Sequence, residues 1–176
     1  MNNPFDFAQG NNFHVSALLK EAIEGLRVKK GKKYIDATLG GGGHTIKILE
    51  RGGIVLGIDC DQEAIEHIKR KFKISSIRQA QDKFQIGKDL TLAKGNFRDI
   101  DKIAHLNNFD HVKRGFGKVS GIIFDLGVSS YQLERKERGF SFQKEGPLDM
   151  RMDQELGVRA MDLIKILTKG ELYEIF

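Results

Sequence analysis

The 176-residue chain contains a single cysteine, Cys60, and no uninterrupted apolar run that approaches the roughly 20 residues needed to span a bilayer. One cysteine cannot form an internal disulfide, and this usage is typical of the reducing cytoplasm. Residues 1–12 include no lysine or arginine, so they resemble neither a secretory signal nor an arginine-rich transit peptide. These absences favour a cytoplasmic globular protein of one domain, and they disfavour a membrane protein or a disulfide-stabilised one.

The charge of the chain is shifted toward the basic side, with a formal net charge of +5 at pH 7 and a sequence pI of about 9.3. Basic residues gather in the segments Lys69–Lys73 and Lys113–Lys118. Such patches can neutralise phosphates and therefore favour nucleic-acid partners. A solvated basic surface without any partner would have the same composition, so charge alone leaves both interpretations open.

Hydrophobic periodicity predicts strands that alternate with helices. Apolar residues from Val15 to Leu26 recur at helical spacing, a second helix is predicted over Thr45–Arg51, and Asp61 is placed to cap a third. Short apolar runs predict four buried strands, which are Tyr34–Leu39, Ile54–Ile58, Thr91–Ala93 and Gly121–Leu126. The segments Ser75–Leu90 and Gln132–Asp153 are polar and predicted to be irregular. The alternation predicts an α/β fold with a mostly parallel, doubly wound sheet.

A glycine loop and an acidic residue follow the first two predicted strands. Gly40–Gly43 interrupts the chain after the first strand, and Asp59 closes the second strand, 19 positions after Gly40. Glycines allow the backbone to approach a ligand closely, and an acid at this place commonly binds ribose hydroxyls. The purely structural alternative is a tight turn followed by an aspartate that caps a helix.

The details of the glycine loop narrow the choice of ligand. A dinucleotide fingerprint needs a third glycine, and the two possible registers place Thr45 or Ile46 there. A phosphate-binding P-loop would end in Gly-Lys-Ser/Thr, whereas this loop ends in Gly43-His44-Thr45. These differences disfavour NAD, FAD, ATP and GTP. An adenosine ligand without phosphates remains, and S-adenosylmethionine is the commonest of these.

Further candidate residues stand at the ends of the later strands. Phe97 follows the third strand, where its ring could lie beside an adenine, and Asp125 ends the fourth. Ligands of open α/β sheets bind at this edge. A core phenylalanine and a turn-forming aspartate are the structural alternatives. His44 is interpreted as a loop contact to the ligand, because the other histidines lack metal-ligand spacing and no metal site is predicted. The sequence has no Gly-x-Ser-x-Gly motif, so a hydrolase has little support.

Several longer motifs resemble one known family. The motifs are His14–Glu21, Tyr34–Thr45, Asp125–Leu133, Glu137–Phe142 and, most distinctively, Gly146–Asp153. Together they resemble the bacterial ribosomal small-subunit RNA methyltransferase H family, also called MraW. The resemblance extends from about His14 to the C-terminus. Tyr131 stands where members of the family often have proline, and the segment between Ile74 and Leu90 is long for the family.

The resemblance implies a partial Rossmann-like class I methyltransferase fold with S-adenosylmethionine as cofactor. It implies methylation of the 4-amino group of a cytidine in the decoding region of small-subunit ribosomal RNA, which makes that RNA or the small ribosomal subunit the partner. Matched motif by motif, the implied cofactor contacts are Gly42, Gly43, His44, Asp59, Phe97, Asp125 and Gln132. Asp125 is also the candidate acceptor for the amine hydrogen, although a carboxylate that only holds the cofactor would stand in the same place.

The end of the sequence suggests an incomplete protein. Thr168 and Glu171 have the spacing of a capping box, and the apolar face that follows stops at Phe176. We therefore expect a flexible N-terminus over 1–13, the N-terminal part of an S-adenosylmethionine-binding methyltransferase domain over 14–133, and, over 134–176, a loop and the incomplete start of a helical insertion. Two other classes remain open, namely a nucleotide-dependent oxidoreductase and a non-catalytic RNA-binding module of the same ancestry.

Overall fold

The computed structural model describes residues 18–78, 84–109 and 119–175, without the side chains of residues 73–78. Three segments discussed above lie outside the described residues. They are the segment 1–13, the beginning of the Val15–Leu26 stripe and the basic segment Lys113–Lys118. The strands are β1 (Lys33–Asp36), β2 (Ile54–Asp59), β3 (Leu90–Lys94) and β4 (Val119–Ile123). The helices are α1 (Leu19–Leu26), α2 (Gly43–Glu50), α3 (Gln62–Arg78), α4 (Ile100–Leu106), α5 (Ser130–Glu134), α6 (Ala160–Ile166) and α7 (Lys169–Ile175).

The four strands form one parallel sheet in the order β3-β2-β1-β4, which confirms the predicted fold class. The registers pair Asp36 with Gly57 and Ile123, and Asp59 with Lys94. Because all strands run the same way, their carboxyl ends meet at one edge of the sheet. The inner strands are buried on both faces, which explains their nearly continuous apolar sequence.

Contacts within the chain define two compact units. The sheet unit comprises Val15–Gly127 together with Met152–Glu155, and the C-terminal unit comprises Val128–Arg151 and Leu156–Phe176. A core cluster of the sheet unit contains Ile35, Ala37, Leu56, Ile58, Ala104 and Phe109. None of the described helices is both long and apolar enough to cross a lipid bilayer.

Two predicted strands are shorter at their carboxyl ends than expected. The strand predicted over Tyr34–Leu39 ends at Asp36, because the next backbone donors turn to different neighbours: Ala37 N to Ile123 O and Leu39 N to Ile58 O. The strand predicted over Gly121–Leu126 begins earlier and ends at Ile123. At the carboxyl edge of the sheet, both strands therefore end and loops begin. Ligands of open α/β sheets bind at this edge.

Two segments predicted to be irregular are partly helical. Helix α3 continues to Arg78, because serines inside a helix lower its stability only slightly. Within Gln132–Asp153, the structure has the end of α5 and a 3-10 turn over Lys136–Arg138. A Ser-x-x-Gln capping box at Ser129 starts α5, and this sequence signal could have revealed the helix. The capping box predicted at Thr168 and Glu171 is confirmed by hydrogen bonds in both directions.

Candidate functional site

The glycine loop leaves β1 and enters α2 with two residues in the left-handed region. Gly40 has φ of 45° and Gly42 has φ of 75°. A Cβ on Gly42 would stand 2.6 Å from the Cδ1 atom of Ile68, so α3 packs directly against the loop. Glycine is therefore favoured at position 42 by the left-handed backbone conformation, and a larger residue there would also displace the end of the Ile68 side chain.

Asp59 holds this loop against the end of β2. One of its carboxylate oxygens accepts a hydrogen bond from Gly40 N at 2.8 Å, and the other accepts one from Asp61 N at 2.9 Å. Burial raises the pKa of the Asp59 carboxyl above its ordinary value, although these two backbone donors act in the opposite direction. The two sequence features that carried the nucleotide hypothesis are thus in direct contact.

Asp36, which the sequence analysis did not select, lies buried beneath the same loop. Its carboxylate accepts hydrogen bonds from the Thr45 hydroxyl at 2.7 Å and from Thr38 N at 3.3 Å. Burial raises the pKa of Asp36. Thr45 occupies one of the positions where a dinucleotide fingerprint has its third glycine, and it ties α2 to β1 through Asp36. An aspartate inside the apolar run Tyr34–Leu39 was the signal that could have identified it.

Asp125, two residues after the end of β4, and His44, in the first turn of α2, face each other. The His44 Nδ1 atom lies 3.8 Å from an Asp125 carboxylate oxygen, which is too long for a hydrogen bond. Asp125 N donates a 2.7 Å hydrogen bond to the Thr38 hydroxyl, which fixes the end of β4 beside β1. His44 is only 4% exposed, and its Nε2 atom has no hydrogen-bond partner among the described residues. A buried nitrogen without a hydrogen-bond partner suits a ligand that would form a hydrogen bond with it.

Phe97 lies after β3 and is 41% exposed. Its ring meets Phe124 edge to face, with a centroid separation of 5.7 Å and an interplanar angle of 86°. Phe124 was predicted as part of a strand, but it lies beyond the end of β4. The pair places aromatic surface after two different strands, where an adenine could stack.

The Gly146–Asp153 motif also reaches the carboxyl edge of the sheet. Its last residue, Asp153, belongs to the sheet unit and lies 3.4 Å from the Lys94 ammonium at the end of β3. The ammonium also pairs with Glu155 at 2.5 Å. This second acidic partner was not foreseen, because Glu155 follows the recognised motif.

Gln132, by contrast, lies in the C-terminal unit and makes the contacts of a helix cap. Its side-chain oxygen accepts a hydrogen bond from Ser129 N at 2.9 Å, and Gln132 N donates to the Ser129 hydroxyl at 3.2 Å. Gln132 is buried.

The charges at the sheet edge restrict the ligand chemistry. The carboxyl groups of Asp59 and Asp125 stand at the loop, and in their ionised form they repel phosphate groups. They suit a ligand that brings hydroxyl donors or positive charge. This selection agrees with the absence of a P-loop and of a third glycine from the sequence.

Comparisons with known proteins identify the family to which the chain is similar. A model of the MraW methylase family matches residues 11–176. The chain is 40% identical over 164 residues to the ribosomal RNA small subunit methyltransferase H of Carboxydothermus hydrogenoformans, covering 93% of this chain and 47% of that protein. The chain thus spans about half the length of this curated relative. A crystal structure named provisionally as an rRNA-methylase from Clostridium thermocellum matches 51% of this chain and 46% of its own, with 23% identity and a TM-score of 0.39.

Proposed function

The chain belongs to the MraW methylase family, and from that premise we propose that it binds S-adenosylmethionine at the carboxyl edge of its sheet. The observation that carries this proposal is the contact between the glycine loop and Asp59, at 2.8 Å. The Nε2 atom of buried His44, which has no hydrogen-bond partner among the described residues, fits such a ligand.

Each proposed contact has a chemical reason. The remaining lone pairs of the Asp59 carboxylate would accept hydrogen bonds from the ribose hydroxyls. The Phe97 ring would stack on the adenine. The amino-acid part of the ligand would be bordered by Gly42, Gly43 and His44. Asp125 would lie close to a positively charged group of the ligand. The resemblance adds Gln132 to this set.

We propose further that the substrate is the 4-amino group of a cytidine in small-subunit ribosomal RNA. When bound, S-adenosylmethionine supplies a methyl group that moves to the amine nitrogen as the carbon–sulfur bond breaks and sulfur keeps the electron pair. Asp125 would orient the amine and accept the proton that the nitrogen releases, and the protein would contribute mainly by positioning. A role for Asp125 in holding the cofactor alone is the alternative.

Isothermal titration calorimetry with S-adenosylhomocysteine, S-adenosylmethionine, NAD and ATP tests the cofactor assignment. We expect binding of the first two ligands in preference to NAD and ATP, and tightest binding of NAD would overturn the proposal. Asp59→Ala should weaken S-adenosylhomocysteine binding by about 1–3 kcal/mol, because polar partners lose their acceptor. Asp89→Ala is the matched control, since Asp89 also accepts a backbone hydrogen bond, from Gln85 N at 2.9 Å, but at the amino end of β3.

We expect residues 1–176 alone to transfer methyl groups poorly, even where they bind the cofactor. Within the described residues β4 is an edge strand, and Phe124 and Leu126 on either side of Asp125 are 49% and 69% exposed. Among the described residues, no covering wall stands on the Asp125 side of the site, and catalysis by positioning tolerates little looseness. The assay is transfer of labelled methyl to unmethylated small ribosomal subunits, compared with a chain extended by the C-terminal half of the relative. Robust turnover by residues 1–176 alone would contradict this expectation.

A cofactor- or RNA-binding module without activity is the second candidate, and the same exposed edge favours it. If cofactor binds but the extended chain also transfers no methyl groups, this second function is the better description.

A further inference from the structure

Helix α3 contacts the glycine loop through a residue that neither the motifs nor the family resemblance selects. The Lys71 ammonium donates a 3.2 Å hydrogen bond to the carbonyl oxygen of Gly41. Ile68, one turn earlier, lies against the adjacent Gly42. Two side chains on one face of α3 therefore touch two successive residues of the loop.

This contact completes the fixation of a single peptide group. The N–H of the Gly41–Gly42 peptide donates to Leu39 O at 2.7 Å, and its carbonyl accepts from Lys71. With both of its polar ends bound, the peptide plane cannot rotate without breaking a hydrogen bond. Its orientation sets the direction in which Gly43 and His44 leave the loop.

The Lys71 ammonium stands where charge is costly. Burial lowers the pKa of Lys71 to about 8, so the charged form is retained against a desolvation penalty at neutral pH. His67, one turn earlier on α3, has its pKa lowered to about 4 by burial and by the nearby charges of Lys71 and Arg70. His67 is therefore neutral at pH 7, and the charge beside the loop carbonyl belongs to Lys71. An apolar side chain would avoid this penalty, which suggests that the contact serves the loop more than the fold.

We propose that Lys71 is a positioning residue for cofactor binding, acting by holding the Gly41–Gly42 peptide in the orientation that the ligand requires. The inference rests on the proposed function, because it concerns the same site. It adds a residue of α3 to a site otherwise built from strand ends and the loops that follow them.

The test uses the affinity of the full chain for S-adenosylhomocysteine and, separately, its thermal midpoint. Lys71→Met keeps the length of the side chain and removes the donor. We expect the affinity to fall about 3- to 10-fold, a part of what a charge-assisted hydrogen bond contributes, while the thermal midpoint stays equal or rises. Lys69→Met is the matched control on the same helix, since Lys69 pairs with Glu66 on an exposed surface and should leave the affinity unchanged. If the wild-type chain binds no S-adenosylhomocysteine, the proposed function fails. If it binds and Lys71→Met binds equally well, only this inference fails.

A pH profile separates a positioning role from a structural one, including the case in which Lys71→Met does not fold. Lys71→Arg keeps a positive charge at every accessible pH. The other ionisable groups on the packed elements are His67 and Arg70 on α3, with Asp59 and Lys94 at the ends of the two strands on which α3 packs. These groups, and the amino group of the ligand, are present in both proteins and cancel in the comparison. We therefore expect the affinity of the wild type relative to Lys71→Arg to fall about 2- to 5-fold from pH 7 to pH 9.5, as Lys71 loses its charge. A ratio that stays constant would overturn the proposal.

Discussion

In the sheet unit the side chains that maintain the fold are mostly aliphatic and fully buried, whereas in the C-terminal unit many of them are charged. The sheet unit buries Leu56, Ile58 and Ile68 completely. Among the described residues of the C-terminal unit, Phe140 is the one large hydrophobic side chain that is buried, and it has the buried Arg138 guanidinium 6.0 Å from its ring centroid. The two units thus resist unfolding by different forces.

Arginine–aspartate pairs organise the C-terminal unit. Arg151 donates to both carboxylate oxygens of Asp149, each at 2.8 Å, and Arg159 binds Asp162 in the same two-pronged way at 2.9 and 3.0 Å. Arg138 connects to the first pair through the carbonyl oxygen of Arg151. Charge-assisted bonds of this geometry are specific in direction, but their strength depends on ionisation.

The difference explains where a preorganised site can lie. The loop, Asp59 and Asp36 rest on strands whose positions are set by apolar burial, which does not depend on the ionisation of the buried side chains. The C-terminal unit keeps its shape through ionised groups, and its exposed apolar residues, such as Phe142 and Tyr173, add little to that shape. We expect the stabilities of the two units to respond differently to substitutions and to pH.

The largest difference should come from one substitution made in each unit. Leu56→Ala removes a side chain that is 0% exposed and should lower the free energy of unfolding of the sheet unit by about 2–5 kcal/mol. Leu163→Ala in α6, where the side chain is 42% exposed, should lower that of the C-terminal unit by less than about 1 kcal/mol. Amide hydrogen exchange measures both units separately. Equal losses would mean that the C-terminal unit also depends on apolar burial.

The contrast also determines how much the sequence could predict. The inner strands and α2 were located because apolar runs and glycine breaks are local signals. The glycine loop and Asp59 were both predicted at the carboxyl edge, because parallel strands bring their carboxyl ends together, but the hydrogen bond between them was not predicted. The capping box at Thr168 was also predicted from a local signal, since both of its partners lie within one helical turn.

Contacts between distant parts of the chain were not predictable. The Lys71–Gly41 bond spans 30 positions and depends on how far α3 rotates over the sheet. Likewise, the Asp125–Thr38 bond spans 87 positions and depends on the register of β4 against β1. In the C-terminal unit, periodicity gave no signal for α5, because five residues held by a cap need no apolar stripe. Polar contacts of this kind leave no period in the sequence.

Acid should act on the two units with opposite sign. Pairing with Arg159 lowers the pKa of Asp162 to about 2, and pairing with Arg151 lowers that of Asp149. Their stabilisation is present above the ordinary pKa of 3.8 and is lost as pH falls toward 2. Burial instead raises the pKa values of Asp36 and Asp59, so these two carboxyl groups stabilise the sheet unit increasingly as pH falls through their folded-state values.

Amide resonances followed by NMR from pH 6 to pH 2.5 measure this difference. We expect the C-terminal unit to lose chemical-shift dispersion at a higher pH than the sheet unit. The double substitution Asp149→Asn and Asp162→Asn should loosen the C-terminal unit already at pH 6, whereas Asp101→Asn, on α4 in the sheet unit, serves as control. Simultaneous loss of dispersion in both units would contradict the separation.

The smallest effect concerns Gln132, which is both a helix cap and a proposed cofactor contact. Ser129→Ala removes the hydroxyl of the capping box and should lower the local stability of α5 by about 1 kcal/mol, with little change in S-adenosylhomocysteine affinity. Gln132→Leu removes the other half of the same box, so the structural loss should be similar. If Gln132 also contacts the cofactor, only the second variant should weaken binding, by about 5-fold, equivalent to about 1 kcal/mol. Hydrogen exchange in α5 reports the first quantity and calorimetry the second. Equal affinity losses in both variants would show that Gln132 acts only by shaping α5.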